Sequence, residues 1–243
     1  MGPLPLDLDQ LQEHLGELLA ELLLGAHIEP AQENTAPIVG AFGRVIEAMT
    51  RLENQAPLPA DETAQSATVL GASAYRLLNI AVECLDPNEP IRSTQRAMLH
   101  IGFAYWVARH GGDIPDLAAL VEDLAQLDSR DVAARVDPVE LTTVMLTLVD
   151  NLATRLHTHD RGDTRDPWRL LHLQLCDAAQ CTQRDDLIQH AHARLLRHLP
   201  GDVTRCGHAV ADTPAAHAAA HPVRTPGTRP SDHRRESHKS TLH

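Results

Sequence analysis

Residues 7–25 read DLDQLQEHLGELLAELLLG, and the spacing within them decides the fold class of the chain. Leu8, Leu11, Leu15, Leu18 and Leu22 recur at intervals of three and four, which lines them along one face of an α-helix. Asp7 and Gln10 stand three apart, so each side chain can reach the other's backbone N–H and close the helix start. Gly25 supplies a stop. Leu19, Leu23 and Leu24 widen the stripe beyond a coiled-coil seam, and little more than two heptads is too short to make one. A helix with so broad an apolar face packs against several neighbours.

The same grammar continues along the chain. Thr35 and Pro37 predict the start of a second helix carrying Ile38, Phe42, Val45, Met49 and Leu52. After Pro57-Leu58-Pro59 a third begins near Asp61 and faces Leu70, Ala74, Leu77, Ala81 and Leu85 inward; Pro87 and Pro90 bracket its turn. A fourth runs from Ile91 to His110 with Met98, Ile101 and Tyr105 on one face, and ends at Gly111-Gly112. Asp113 with Pro115 predicts a fifth (Leu117, Leu120, Leu124, Leu127). Asp137-Pro138 predicts a sixth (Leu141, Met145, Leu148, Leu152, Leu156). Asp166-Pro167 opens a seventh (Trp168, Leu171, Leu175). Thr182 with Asp185 opens an eighth (Leu187, Ile188, Ala191, Leu195), which stops at Pro200-Gly201. Acidic caps and prolines in first turns suit the orphan N–H groups and the helix dipole. No segment alternates with period two. The expectation is an all-α protein, about eight antiparallel helices in a bundle or a curved array of helical hairpins.

Composition agrees. The 243 residues are 43% hydrophobic but only 2% aromatic, so the core draws on Leu and Ala, both strong helix formers. The net charge is −12. Six of the 21 basic and three of the 33 acidic residues fall after Asp202, which leaves 15 and 30 in the first 202 residues. An acidic body repels phosphate backbones and anionic bilayers, so no nucleic-acid or membrane partner is expected for it. The start has no basic and apolar leader pattern, and the most apolar runs, 18–26 and 141–149, fall short of the roughly 20 residues that span a bilayer. Four cysteines (Cys84, Cys176, Cys181, Cys206) are too sparse for a secreted disulfide framework. These readings place the protein in the cytoplasm.

The domain organisation expected is a helical domain over residues 1–202 and a disordered tail over 203–243. After Asp202, Leu returns only at Leu242, while Pro214, Pro222, Pro226 and Pro230 and six of the sixteen histidines accumulate. Such a segment cannot offset its ordering entropy. A GC-rich gene read out of frame yields the same composition, so an altered frame near Val203 is a second origin for the tail.

Chemistry is harder to find. The body has no lysine, since Lys239 is the chain's only one, and no Gly-rich phosphate cradle follows a strand. Gly71-Ala72-Ser73 lacks the second glycine of a nucleophile elbow and sits inside a helix. Neither H-E-x-x-H nor Glu-x-x-His occurs. Cys176, Cys181, His192 and His198 have zinc-like intervals, but residues five apart on a helix diverge by about 140°. No metal and no cofactor are expected. His157-Thr158-His159-Asp160 marks a helix end, where histidines suit the dipole. Trp168, Leu171, Leu175 and Ala191 partly resemble a tetratricopeptide-repeat hairpin, but His172 and Arg184 stand where small residues are needed and no second copy follows. No family is assigned. Arg92, Arg96 and His100 form a basic strip that suits an acidic partner or a phosphate. Tyr105 and Trp106 point about 100° apart, so one of them is a candidate contact beside that strip, or both are buried in a helix covered on two sides. Arg92, Arg96, His100 and Trp106 are therefore the candidate interaction surface. The leading reading is a non-catalytic interaction module that binds a protein partner or a second copy through an apolar groove. The alternative is an enzyme whose site gathers distant residues such as Glu83, His100 and Asp150. An open apolar groove favours the first, and a deep pocket of converging polar groups favours the second.

The tail reading has a direct check. Deleting residues 203–243 is expected to leave the melting temperature of the body within about 2 °C by calorimetry, because the segment has too little to bury.

Overall fold

The computed structural model describes residues 4–26, 35–54, 58–84, 90–128, 136–154 and 166–203. Leu85, Pro87, Leu156, the His157–Asp160 cluster, Cys206 and the tail beyond Val203 lie outside these. Among the described residues there are eight α-helices and no strand: α1 (Leu8–Ala26), α2 (Thr35–Asn54), α3 (Ala60–Glu83), α4 (Pro90–Arg109), α5 (Leu117–Asp128), α6 (Pro138–Ala153), α7 (Pro167–Cys181) and α8 (Asp185–His198), with a 3₁₀ turn at Pro200–Asp202. The protein is all-α. No helix among the described residues is long and apolar enough to cross a membrane.

The caps hold where the local signal is strongest. Gln10 N–H donates to Asp7 Oδ1 at 2.8 Å, and Asp7 N–H reaches Gln10 Oε1 at 3.4 Å. Asp137 accepts from Val139 N–H, and Asp166 from Trp168 N–H. Three starts differ. Thr35 is itself helical and buried. Asp116, not Asp113, caps α5: it sits at φ 50° and accepts from Ala119 N–H. Asp113 instead donates its N–H to Thr68 Oγ1 of α3, a contact across 45 residues that no local pattern carries. Thr182 closes α7, with its hydroxyl on Ala179 C=O, and Arg184 precedes α8 without a side-chain cap.

α4 organises the packing. α1, α2, α3 and α4 pack in a ring, each on the next and α4 back on α1. α4, α5, α7 and α6 form a second ring in that order, and α8 lies against α7 and α6. The arrangement is a pair of four-helix bundles sharing one helix, not a curved array of hairpins. α4 can serve both because between Ala97 and Ala108 it carries apolar side chains on opposite faces. Ala97, Met98, Ile101 and Ala104 enter the core shared with α5–α8, while Leu99, Phe103, Trp106 and Val107 enter the core shared with α1–α3.

Close approach makes small residues obligatory. A Cβ built on Gly71 of α3 would lie 2.2 Å from Val107 Cγ2 of α4. Gly71 thus serves helix packing, and neighbouring Ser73 turns its hydroxyl back to Val69 C=O at 2.8 Å. We expect Gly71→Ala to destabilise the fold by roughly 1–3 kcal/mol, as overpacked cores do, against the gain in helix propensity. Urea unfolding measures it; an unchanged midpoint would mean that α3 and α4 are not this close.

Candidate functional site

Of the strip expected on the surface, His100 lies inside the protein, while the Arg96 side chain keeps 26% of its surface exposed. His100 of α4 is 1% exposed, and its Nδ1 lies 2.6 Å from Asp123 Oδ2 of α5. Arg96, one turn earlier, donates to Asp123 Oδ1 at 2.5 Å. The Tyr75 ring of α3 stacks on the imidazole at 4.0 Å between centroids. Asp123 is 1% exposed, so its two neighbours are what make a buried carboxylate tolerable. Trp106 is 2% exposed and donates Nε1–H to Glu53 of α2 at 2.9 Å, while Tyr105 is partly buried and lies under the Arg109 guanidinium. His100 and Trp106 are hidden for one reason: both lie on the stretch of α4 that is covered from two sides. Arg92 belongs to the first turn of α4, and its side chain lies outside the described part.

Sequence reasoning missed Asp123, although a signal was there. It falls among Leu120, Leu124 and Leu127, on the stripe that α5 buries. An acid on an apolar stripe requires a partner, and a buried histidine and arginine one turn apart supply it.

The residues named for a distributed enzyme site take different partners. His100 joins Asp123, whereas Asp150 of α6 forms a two-bond pair with Arg194 of α8 at 3.0 and 2.8 Å, and Glu83 is exposed at the end of α3. The space beside His100 Nε2, bounded by Gly71, Tyr75, Phe103 and Val107, is too small for a water molecule. Cys176 is fully buried, while Cys181 and His192 are exposed. Among the described residues no group of three or more His, Cys, Asp or Glu is placed to hold a metal ion.

The second buried histidine is differently placed. His172 of α7 is 0% exposed, and neither ring nitrogen has a hydrogen-bond partner. Trp168 meets it edge-on at 4.4 Å, and the His198 ring of α8 lies 5.4 Å away. Burial above all, then His198, lowers its pKa to about 4, with Asp150 opposing.

Open apolar surface lies elsewhere, on either side of α2. Between α1 and α2 runs a groove of about 490 Å³ floored by Leu15, Gly16, Leu19, Val39, Gly43 and Ile46. Gln12, Glu47, Thr50 and Arg51 edge it. A Cβ on Gly16 or Gly43 would meet nothing within 4 Å. Between α2 and α3 lies a second groove of about 580 Å³, with Leu52, Leu58, Val69 and Leu70 in its wall. Val69 is 59% exposed there. Arg51 lines both.

Electrostatics separate the two sides of the first groove. α1 carries Asp9, Glu13, Glu17 and Glu21 and no lysine or arginine. At 100° per residue, Asp9 and Glu13 stand next to Gln12 and Gly16, on the solvent edge of the groove, and both are exposed. The α2 edge is mixed, with Arg44 and Arg51 beside Glu47.

Compared with protein-family models, characterised proteins and solved structures, the chain matches none of them.

Removing the buried carboxylate tests the internal cluster. Asp123→Ala leaves the Arg96 and His100 donors facing each other without an acceptor, and we expect a loss of roughly 3 kcal/mol in urea unfolding. A loss below about 0.5 kcal/mol would mean that the two donors find other partners.

Proposed function

We propose that the protein is a non-catalytic helical interaction module whose α1–α2 groove takes up an amphipathic, basic helix of a protein partner. The observation that carries this reading is an open apolar groove with two glycines in the middle of its helices. Each glycine costs its helix up to about 1 kcal/mol relative to alanine, and among the described residues no atom lies within 4 Å of a Cβ built there. A bound helix would use it. Apolar side chains spaced three and four apart would enter over Gly16 and Gly43, the usual way a helix lies in a groove.

Charge selects among occupants. The α1 edge bears exposed Asp9 and Glu13 on a helix with no lysine or arginine, so a partner with Lys or Arg flanking its apolar face gains attraction there. A second copy is disfavoured, because it would bring α1 acids against an equally acidic surface. The polar clusters support the same reading from the other side: Asp123 is buried against Arg96 and His100, and Asp150 is engaged by Arg194.

A test uses two labelled peptides of 18 residues, one a Leu/Lys amphipathic helix and one its Leu/Glu counterpart, followed by fluorescence anisotropy. We expect the cationic helix to bind and the anionic one not. A Cβ on Gly43 meets nothing within 4 Å, so Gly43→Leu should project into the groove and lower binding at least tenfold while thermal stability holds or rises. The double change Glu13→Lys, Glu17→Lys should weaken the cationic helix severalfold, most at low salt. Equal binding of both peptides, or an unaffected Gly43→Leu variant, would sink the proposal. So would a dimer in sedimentation that Gly43→Leu dissociates, which would make the occupant a second copy.

A further inference from the structure

His172 has no structural reason to be a histidine. It is fully enclosed between Trp168, the core of the second bundle and α8, and both nitrogens lie buried without partners. Burying polar atoms unbonded costs free energy that a leucine or phenylalanine there would not. His198, on the last turn of α8, faces it ring to ring at 5.4 Å and also touches Trp168 edge-on at 5.6 Å. Thus the contact between α7 and α8 is built around two imidazoles and one indole.

The rest of the α8 attachment is a short apolar stripe, with Ile188 and Leu199 partly buried beside it. Only Leu187, Ala191 and Leu195 of α8 are buried. Two ion pairs add to them: Arg194 to Asp150 of α6, and Arg169 of α7 to Asp202 in the 3₁₀ turn that follows α8. We infer that α8 and its 3₁₀ turn are an acid-released latch, docked while His172 and His198 are neutral and let go when they take up protons.

The charges around His172 explain the direction. From α6 comes Asp150, with both oxygens taken by Arg194. From α8 comes His198, whose own protonation Arg197 and Arg194 oppose. On α7, Arg169 is engaged by Asp202. On α5, which also packs on α7, Glu122 is exposed and Asp123 is held by Arg96 and His100. An imidazolium at His172 would sit in a buried site with no hydrogen-bond acceptor, beside a second imidazole, and Asp150, already paired with Arg194, is the carboxylate that opposes the shift. Both pKa values are lowered in the docked state, that of His172 from 6.5 to about 4 by burial first, and that of His198 by burial and then Arg197. The docked form therefore binds protons less readily than the released form. Docking is fully favoured above pH 6.5 and is lost as pH falls from there toward 4. For His172 alone, this linkage lowers the ratio of docked to released chains roughly thirtyfold by pH 5 and over a hundredfold by pH 4.

Hydrogen exchange of the full chain, followed by mass spectrometry from pH 7.5 to 4.5 and corrected for intrinsic rates, reads the latch. We expect amides of α8 and the 3₁₀ turn to lose protection at least tenfold by pH 5 while α3 and α4 keep theirs. His172→Phe and His172→Leu remove the proton acceptor, and either one that folds should hold α8 protected at pH 5. In the unmodified chain, an NMR titration of the His172 ring should show protonation coinciding with that loss. The inference is overturned if α8 stays protected at pH 5, if α3 and α4 open together with it, if a folded His172 variant releases α8 at the same pH, or if His172 protonates with α8 still docked.

Discussion

Burial of α4 on both sides is the constraint from which the rest of this structure follows. A helix shared between two cores presents little free surface, so the polar groups on its covered stretch draw their partners from inside the fold. Arg96 and His100 Nδ1 are paired with Asp123, and the Trp106 indole N–H with Glu53, while His100 Nε2 stays buried without a partner. The same sharing demands close approach. Gly71 lets Val107 sit against α3, and Gly102 leaves room for Pro5 and Leu11, whose atoms would otherwise lie within 3 Å of a Cβ. Polar pairing and glycine placement are thus two responses to one packing problem.

The two bundles are held together by different physics. In the first, α1 and α2 meet through leucines, Phe42 and Met49, and their outer faces leave an open groove. In the second, long-range two-bond arginine–carboxylate pairs supplement the apolar core, Arg194 to Asp150 and Arg169 to Asp202. Such pairs fix geometry as well as add energy. The uncommitted apolar surface therefore lies in the first bundle, where the proposed partner would bind, and the charge-sensitive joint in the second.

Two buried histidines show how far environment governs one residue type. His100 has a carboxylate on Nδ1 and an aromatic ring on its face, whereas His172 has an aromatic edge, a second imidazole and no hydrogen bond. The first is a component of a paired core cluster. The second is a strained neutral group whose protonation the surrounding fold opposes.

Helix periods and most caps were legible because they depend on residues within four of each other. Leu8 to Leu22, and Asp7, Asp137 and Asp166, each specify their own turn of helix wherever the chain goes next. The Asp113 and Thr182 starts failed for the complementary reason, since their groups were drawn into contacts other than the following helix. What sequence spacing could not give was the closing of two rings on α4. That closing buried His100 of the expected surface strip and brought Asp123 to it across 23 residues. It also set His198 against His172 and left Gly16 and Gly43 on the floor of an open groove. The sequence by itself determined that the chain is helical, and where its turns of helix begin. Only tertiary packing decided which faces meet, because an apolar stripe states that a face must be covered and carries no information about what covers it.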